Sequence, residues 1–453
     1  MFPRWLTVTG IALIVVWILW LRAPSFRTPI WNVDEGIAAA LADKILEGGL
    51  PYRHAIDQRP PVTYLVYAAV FAVAGANNMD AIHVALALLV AGTAVLLFLA
   101  ARRASGTATA WWTLAVYATL SSCLFSPFDL YALHTEWPLS FCSAAGALLF
   151  FVAQARGGRN WWLASGGCYG AAALSKQPGL LDFGAPLVLC AFAWWRGTEE
   201  VRRQQFRNVA WLAAGFAAPV LLTLGFFAAF GALPDLLFYT WGYNTRYYVA
   251  GVPFVERLAT VVVPFRLLWD FSPVLTVAGL ASLLPWLYRP GADGNPRPVS
   301  ERPDQLFAVV WLLGATYATT LSGRGFFHYS FQVLPPLAWT FGLLLAWVTR
   351  QATTAWRERR RWVAIPLILV LGWLAFGWAR ACLRYRVAFP IHIDTVEPVA
   401  AYIRAHSTRE DPLFVWGFYS DLYTLADRLP ASRFLYTTFP TGVIPWINED
   451  EDT

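Results

Sequence analysis

Two carboxylates stand side by side in Trp31-Asn-Val-Asp-Glu-Gly36, just past an apolar run that ends at Leu21. Hydrocarbon cannot solvate such groups, so an acid pair beside a bilayer must be hydrated, paired or put to use. A second polar knot, His54-Ala-Ile-Asp-Gln-Arg-Pro-Pro61, follows within the same stretch. Asp34 has the chemistry of a general base, with Glu35 beside it, and a guanidinium at Arg59 can grip a phosphate bidentately. Each has a plainer reading as well: Asp34 as a helix cap, Glu35 as a first-turn acid favoured by the helix dipole, and Arg59 as an anchor for lipid headgroups.

Further along, Leu133-His-Thr-Glu-Trp-Pro138 puts Glu136 at the end of an apolar span. Lys176, one of only two lysines in a chain that otherwise uses arginine, sits where Ser175-Lys-Gln-Pro-Gly179 breaks another. An ammonium next to hydrocarbon costs a few kcal/mol, about 2.5–3.5, unless it snorkels or meets an anion. Arg324 and then His328-Tyr329 open a third helix end, ahead of Pro335-Pro336. These groups read as a set, with Asp34, Glu35 and Glu136 as the acids and Arg59, Lys176, Arg324, His328 and Tyr329 as candidate partners for an anion.

The elements that must position them are membrane helices. The chain has 453 residues, 58% hydrophobic and 14% charged, too few charges to cover a soluble surface. Apolar runs long enough to span lie near 6–22, 81–101, 108–126, 137–155, 161–177, 180–195, 208–230, 270–288, 305–322, 332–349 and 362–380, about eleven helices in all. The first run resembles a signal peptide, but Arg22 and the lack of a small-x-small site predict a retained helix. The stretch Val62–Gly75 is short for a span, and the distribution of basic residues decides its status. If it stays at the interface, loops 102–103, 156–159, 196–207, 289–302 and 350–361 face the cytoplasm with sixteen Lys/Arg, against five in loops 127–136, 176–179, 231–269 and 323–331. If it spans, the bias inverts, so an interfacial or re-entrant helix is expected. The expected layout has a cytoplasmic N-terminus, outer loops 23–80 and 231–269, and an extracytoplasmic tail from about 381. All the candidate groups then gather on one face of the membrane.

Asp34 is expected to cap an amphipathic helix, 35–47, that lies along the membrane surface on Ile37, Leu41 and Ile45 and ends at Gly48-Gly49. The tail predicts a small α/β unit: a strand at Pro412–Gly417 and short helices at 396–405 and 421–427. The division is 1–380 for the membrane domain and 381–453 for the tail, with 290–303 as a Pro/Gly-rich linker. The net charge of +6 comes almost wholly from arginines in short loops, which is topology rather than a nucleic-acid surface. Four of five cysteines (Cys123, Cys142, Cys168, Cys190) fall in apolar spans and Cys382 at a span's end, with no metal spacing and no disulfide framework. No cofactor is expected. Asp34 and Glu136 could share a divalent metal, although no His/Cys ligand set demands one.

The spacing of Asp34-Glu-Gly36, Gly48-Gly-Leu-Pro-Tyr52 and Asp57-Gln-Arg-Pro-Pro61 resembles the first outer loop of GT-C glycosyltransferases. The similarity is greatest to bacterial lipopolysaccharide-core RgtA/B/C/D-like sugar transferases. Lipid A aminoarabinose transferases and protein O-mannosyltransferases are more distant. Thr135-Glu136, Ser175-Lys-Gln-Pro-Gly179, His328-Tyr329, Val415-Trp-Gly417 and Ala431-Ser-Arg-Phe434 extend the resemblance over nearly the whole chain. It implies an all-α polytopic GT-C bundle with interfacial helices in its first outer loop. It also implies a polyprenyl-phosphate sugar donor, an extracytoplasmic acceptor, and a bacterial inner membrane as the location. By this resemblance Asp34 is the catalytic carboxylate, Arg59 and Lys176 stand near the donor phosphate, and Glu136 is a second acid. Two features depart from the pattern: Gln58 stands where lipid A transferases carry an acid, and the tail ends early, in Glu449-Asp-Glu-Asp452. The rival class is a transporter or flippase of polyprenyl-linked lipids, which predicts ionisable groups near the midplane and repeat-related broken helices.

Overall fold

A computed structural model describes residues 4–249, 252–271, 273, 276–277, 303–387 and 396–442. Among these the fold is helical, with isolated β-bridges and no strand. The main elements are α1 (Arg4–Arg22), α2 (Val33–Leu46), α3 (Val62–Ala74), α4 (Met79–Ala104), α5 (Thr107–Cys123), α6 (Pro127–Leu130), α7 (Glu136–Arg156) and α8 (Arg159–Ser175). They continue with α9 (Gly184–Arg196), α10 (Glu199–Ala229), α11 (Pro303–Thr320), α12 (Leu334–Arg357), α13 (Arg361–Val387), α14 (Glu397–His406) and α15 (Asp421–Ala426). Seven helical segments are long and apolar enough to cross a membrane. Three more of the expected stretches coincide with helices, α5, α8 and α11, of 17, 17 and 18 residues, which are not among those seven. The expected span at 270–288 falls largely outside the described residues, as do the linker 290–303 and the acidic end 449–452. Helix α3 has 13 residues, about 20 Å at the α-helical rise, short of a hydrocarbon core about 30 Å thick.

Without a hydrophobic drive between helices inside lipid, close packing holds the bundle. Helix α8 lies against α7 and α10, α4 against α5 and α7, and α12 against α5 and α13. Where α8 meets α10, a Cβ on Gly166 would stand 2.0 Å from the Leu212 carbonyl oxygen, so the two backbones touch there. Aromatic rings fill the centre: Phe150 stacks on Phe307 at 5.6 Å, and Phe151 meets Trp339 at 5.7 Å. Arg22 ends α1 fully buried. Its guanidinium donates to the Ser121 carbonyl at 2.9 Å and to the Leu130 carbonyl at 2.6 Å, which fastens α1 to α5 and α6.

Two expectations about the polar segments need correction. The cap of α2 is Asn32, whose side-chain oxygen accepts from the Asp34 amide at 3.0 Å, so Asp34 belongs to the first turn. Nor does α2 lie open along a surface. Residues 35–42 are buried all round, with α3 on one side and α15 on another. Gly36 permits that second contact, because a Cβ there would stand 2.4 Å from the Asp421 amide nitrogen and 2.6 Å from its Cα. In the tail, α14 and α15 match the two expected helices, but the expected strand at 412–417 is one isolated bridge between Leu413 and Pro430. Leu413 exchanges bonds with the Leu429 carbonyl and the Ala431 amide at 2.9 and 2.8 Å. Pro412 and Pro430 have no N–H, so the ladder cannot extend.

Candidate active site

At the end of the bundle where α1, α5 and α8 finish and α7 and α12 begin lies a cavity of about 980 Å³. Asp34, Arg59, Glu136, Lys176, His328 and Tyr329 all line it. They come from five separate segments, each set by a local break in the chain. Asp34 sits in the first turn of α2, and Arg59 in the loop ahead of Pro60-Pro61, where α3 begins. Glu136 is the first residue of α7. Lys176 adopts an extended conformation between α8 and the 3-10 turn Gln177–Phe183, because Pro178 cannot continue a helix. His328 and Tyr329 lie in the 3-10 turn Phe327–Val333 ahead of α12.

Charge is arranged in pairs. Arg59 Nη2 donates to Asp34 Oδ1 at 2.6 Å, and its Nη1 donates to Asp57 Oδ2 at 3.2 Å. On the other face of Asp34, His134 Nδ1 stands 3.5 Å from Oδ2. Burial alone would push the Asp34 carboxyl up, yet Arg59 and His134 hold it well below the usual carboxylate range. Burial likewise opposes protonation of His134, but Asp34, Asp129 and Glu136 outweigh it and raise its pKa. Lys176 Nζ donates to Glu136 Oε1 and lies 3.4 Å from the centroid of the Tyr329 ring, a cation–π contact. The other Glu136 oxygen accepts from the Thr135 hydroxyl at 3.0 Å.

The loop carrying Arg59 is held rigidly. Asp57, fully buried, accepts from the hydroxyls of Tyr64 and, at 2.8 Å, Tyr436. The Gln58 carbonyl accepts from the side-chain amides of Gln177 and Asn244 at 3.2 and 3.1 Å. Because Tyr436 belongs to the tail, the tail takes part in setting Arg59. Ile56, whose amide donates to the Arg433 carbonyl at 2.9 Å, makes a second tie.

Two of the sequence-derived residues stand apart from the cavity. Glu35 points the other way from Asp34 and is 1% exposed. Its carboxylate accepts from the Trp31 amide at 2.8 Å and the Leu133 amide at 3.0 Å, with His83 Nε2 at 3.5 Å. Arg324 lies outside the cavity lining; its amide donates to the Ser322 hydroxyl at 3.1 Å.

Sequence reasoning passed over His134 and Asp129, although His134 lies in the quoted Leu133–Pro138 motif. The His134 and His328 rings stack in parallel at 4.3 Å, and Asp129 Oδ1 stands 3.3 Å from His328 Nδ1. Asp34, His134 and His328 bring one carboxylate oxygen and two imidazole nitrogens within 4.8 Å of one another, a donor set that fits a divalent ion. Glu136, which from sequence could share a metal with Asp34, is engaged with Lys176.

Residues 58–227 match the family model described as dolichyl-phosphate-mannose-protein mannosyltransferase. No curated protein matches the chain. Among solved structures, ArnT from Cupriavidus metallidurans bound to undecaprenyl phosphate superposes with a TM-score of 0.60 at 18% identity, over 96% of this chain and 89% of that one. Its apo form gives 0.62 at 18% identity, over 97% and 90%. The Archaeoglobus fulgidus oligosaccharyltransferase tethered to an acceptor peptide gives 0.61 at 12% identity, over 95% of this chain and 64% of that one. The likeness runs from end to end of this chain and agrees with the resemblance carried by its first outer loop: the chain is built on the GT-C fold of membrane glycosyltransferases.

Proposed function

We propose that the protein transfers a sugar from a polyprenyl-phosphate-linked donor to an acceptor on the extracytoplasmic face of a bacterial inner membrane. The observation that carries this reading is the cavity itself, where a fixed carboxylate, Asp34, lies within one site with two cations, Arg59 and Lys176. The acceptor hydroxyl attacks the anomeric carbon, Asp34 takes its proton, and the bond from that carbon to the phosphate oxygen breaks. Negative charge gathers on the departing lipid phosphate, where Arg59 and Lys176 stabilise it. Tyr329 holds the Lys176 ammonium in place, and His328 and His134 face the same space. Asp34, His134 and His328 are the residues that would hold a divalent ion, which would supply positive charge beside the phosphate.

The named structural relative was solved with undecaprenyl phosphate bound, which supports a lipid-linked donor here. The test is direct: purified protein in detergent is given a polyprenyl-phosphate sugar and candidate extracytoplasmic acceptors, and glycosylated product is followed by mass spectrometry. Donor consumption with product formation is the expected result. If the donor binds without any transfer, and vesicles holding the protein carry it across the bilayer, the transferase reading fails in favour of a lipid transporter.

A further inference from the structure

The sulfur atoms of Cys123 and Cys382 stand 3.4 Å apart although 259 positions separate them in the chain. Both are buried, 2% exposed each, in a small apolar cluster with Leu21. Cys123 is the last residue of α5, and Cys382 lies near the C-terminal end of α13. Two residues before Cys123 on α5, the Ser121 carbonyl accepts from Arg22, and Arg22 also reaches Leu130, next to Asp129 of the cavity. The two thiols therefore lie at the cavity end of the bundle. The other three cysteines lie within α7, α8 and α9.

We propose that Cys123 and Cys382 form a structural disulfide that fastens the outer end of α13 to α5. The inference rests on the transferase reading in one respect, that the cavity end faces outside the cytoplasm, where disulfides form and persist. Both thiols lose a proton, and the pair gives two electrons to the disulfide of an extracytoplasmic thiol oxidoreductase, which leaves as a dithiol. Exchange takes place before α13 seats, because the finished pair is closed to a second protein.

The bond has a mechanical purpose. Among the described residues, 11% of the apolar stretch of α13 is buried, against 78% of the segment that contains α12, so little of the described packing holds it. Beyond α13 comes the tail, whose Tyr436 donates to Asp57 and so helps fix Arg59. A covalent tie at the root of the tail limits how far that segment can stray. It also closes a very long loop, the kind that constrains an unfolded chain most.

Membranes are denatured in excess N-ethylmaleimide, reduced, and treated with polyethylene-glycol maleimide, which adds mass only to sulfurs that were oxidised. The wild-type protein is expected to gain two adducts, and Cys123→Ser and Cys382→Ser none. Wild-type protein that gains no adduct overturns the inference, even if copper phenanthroline closes the pair after purification. Sugar transfer is measured on the same membranes: transfer without the bridge overturns the disulfide alone, and a bridge without transfer overturns the transferase reading alone.

Discussion

Lys176 has two tasks that substitution can separate. It is the counterion of Glu136, and on the proposed function it also meets the donor phosphate. Glu136 is 1% exposed, and its carboxylate accepts from the Lys176 ammonium and the Thr135 hydroxyl. Lys176→Met keeps an unbranched apolar stem but strands the buried carboxylate, which costs roughly 3–5 kcal/mol in comparable cases. Because the Lys176 side chain is 15% exposed and water reaches it, the lower end of that range applies here. Adding Glu136→Gln removes the stranded charge and should restore most of the lost stability, leaving a deficit of about 1 kcal/mol, the ordinary worth of a lost hydrogen bond. Donor affinity should not recover. A charged hydrogen bond to phosphate contributes about 1.5–3 kcal/mol, so both variants should bind a polyprenyl-phosphate sugar roughly 10- to 150-fold more weakly. Thermal unfolding in detergent reads stability, and calorimetric titration with the donor reads affinity. If the double variant regains affinity together with stability, Lys176 serves Glu136 alone and the phosphate contact is wrong.

Asp34→Asn should abolish turnover while donor binding stays largely intact, since Asn32 and not Asp34 caps α2; near wild-type turnover refutes the base assignment. Ionised Asp34 has a folded pKa below its unfolded value, near ~3.9, so its contribution to stability is complete above that value and vanishes as pH falls through the folded one. The acid limb that Asp34 sets in the pH profile of kcat/KM, which reports the free enzyme, should therefore lie below the usual carboxylate range, and Arg59→Gln should move it upward by removing the charge that opposes burial. Glu35→Gln should lower the thermal midpoint, with a loss of about 1–3 kcal/mol for weakened bonds to two backbone amides, yet leave the pH profile of the surviving activity unchanged. Cysteine-accessibility labelling should find loops 196–207 and 350–361 cytoplasmic and the tail outside; an external 196–207 loop overturns the orientation.

Much of this site can be read from sequence because charge is scarce in an apolar chain. Arg59, Glu136 and Lys176 draw attention as isolated ions at helix ends, and they line one cavity. What could not be read is orientation. Asp34 and Glu35 are adjacent, but successive helical side chains point about 100° apart, so one meets Arg59 while the other turns to the Trp31 and Leu133 amides. Asn32 and Asp34 both suit a cap, and only the backbone shows which one takes it. His134 was obscured by its neighbour Glu136, although the two have different partners. The expected strand at Pro412–Gly417 is reduced to one bridge because Pro412 and Pro430 lack the N–H groups a ladder needs. Gly36 looked like part of a motif, whereas its use is steric, admitting Asp421 against α2.

On the proposed function, pairing within the cavity governs how the donor phosphate is held there. Arg59 is engaged with Asp34 and Asp57, and Lys176 with Glu136. An arriving phosphate must therefore draw these cations partly away from carboxylates rather than fill an empty anion hole. Loosening those pairs offsets part of what the phosphate contacts contribute, so the lipid and the sugar share in affinity, and the ionic contacts also set position. It also changes the base. As Arg59 turns toward the phosphate, the attraction that holds Asp34 down weakens, while burial, which pushes its pKa up, stays. Asp34 becomes a stronger base only once the donor is seated. Asp57 keeps the guanidinium from leaving altogether, since Tyr64 and Tyr436 fix that carboxylate behind it. On the proposed reading the tail contributes to chemistry at a distance, by holding the anchor about which Arg59 shifts.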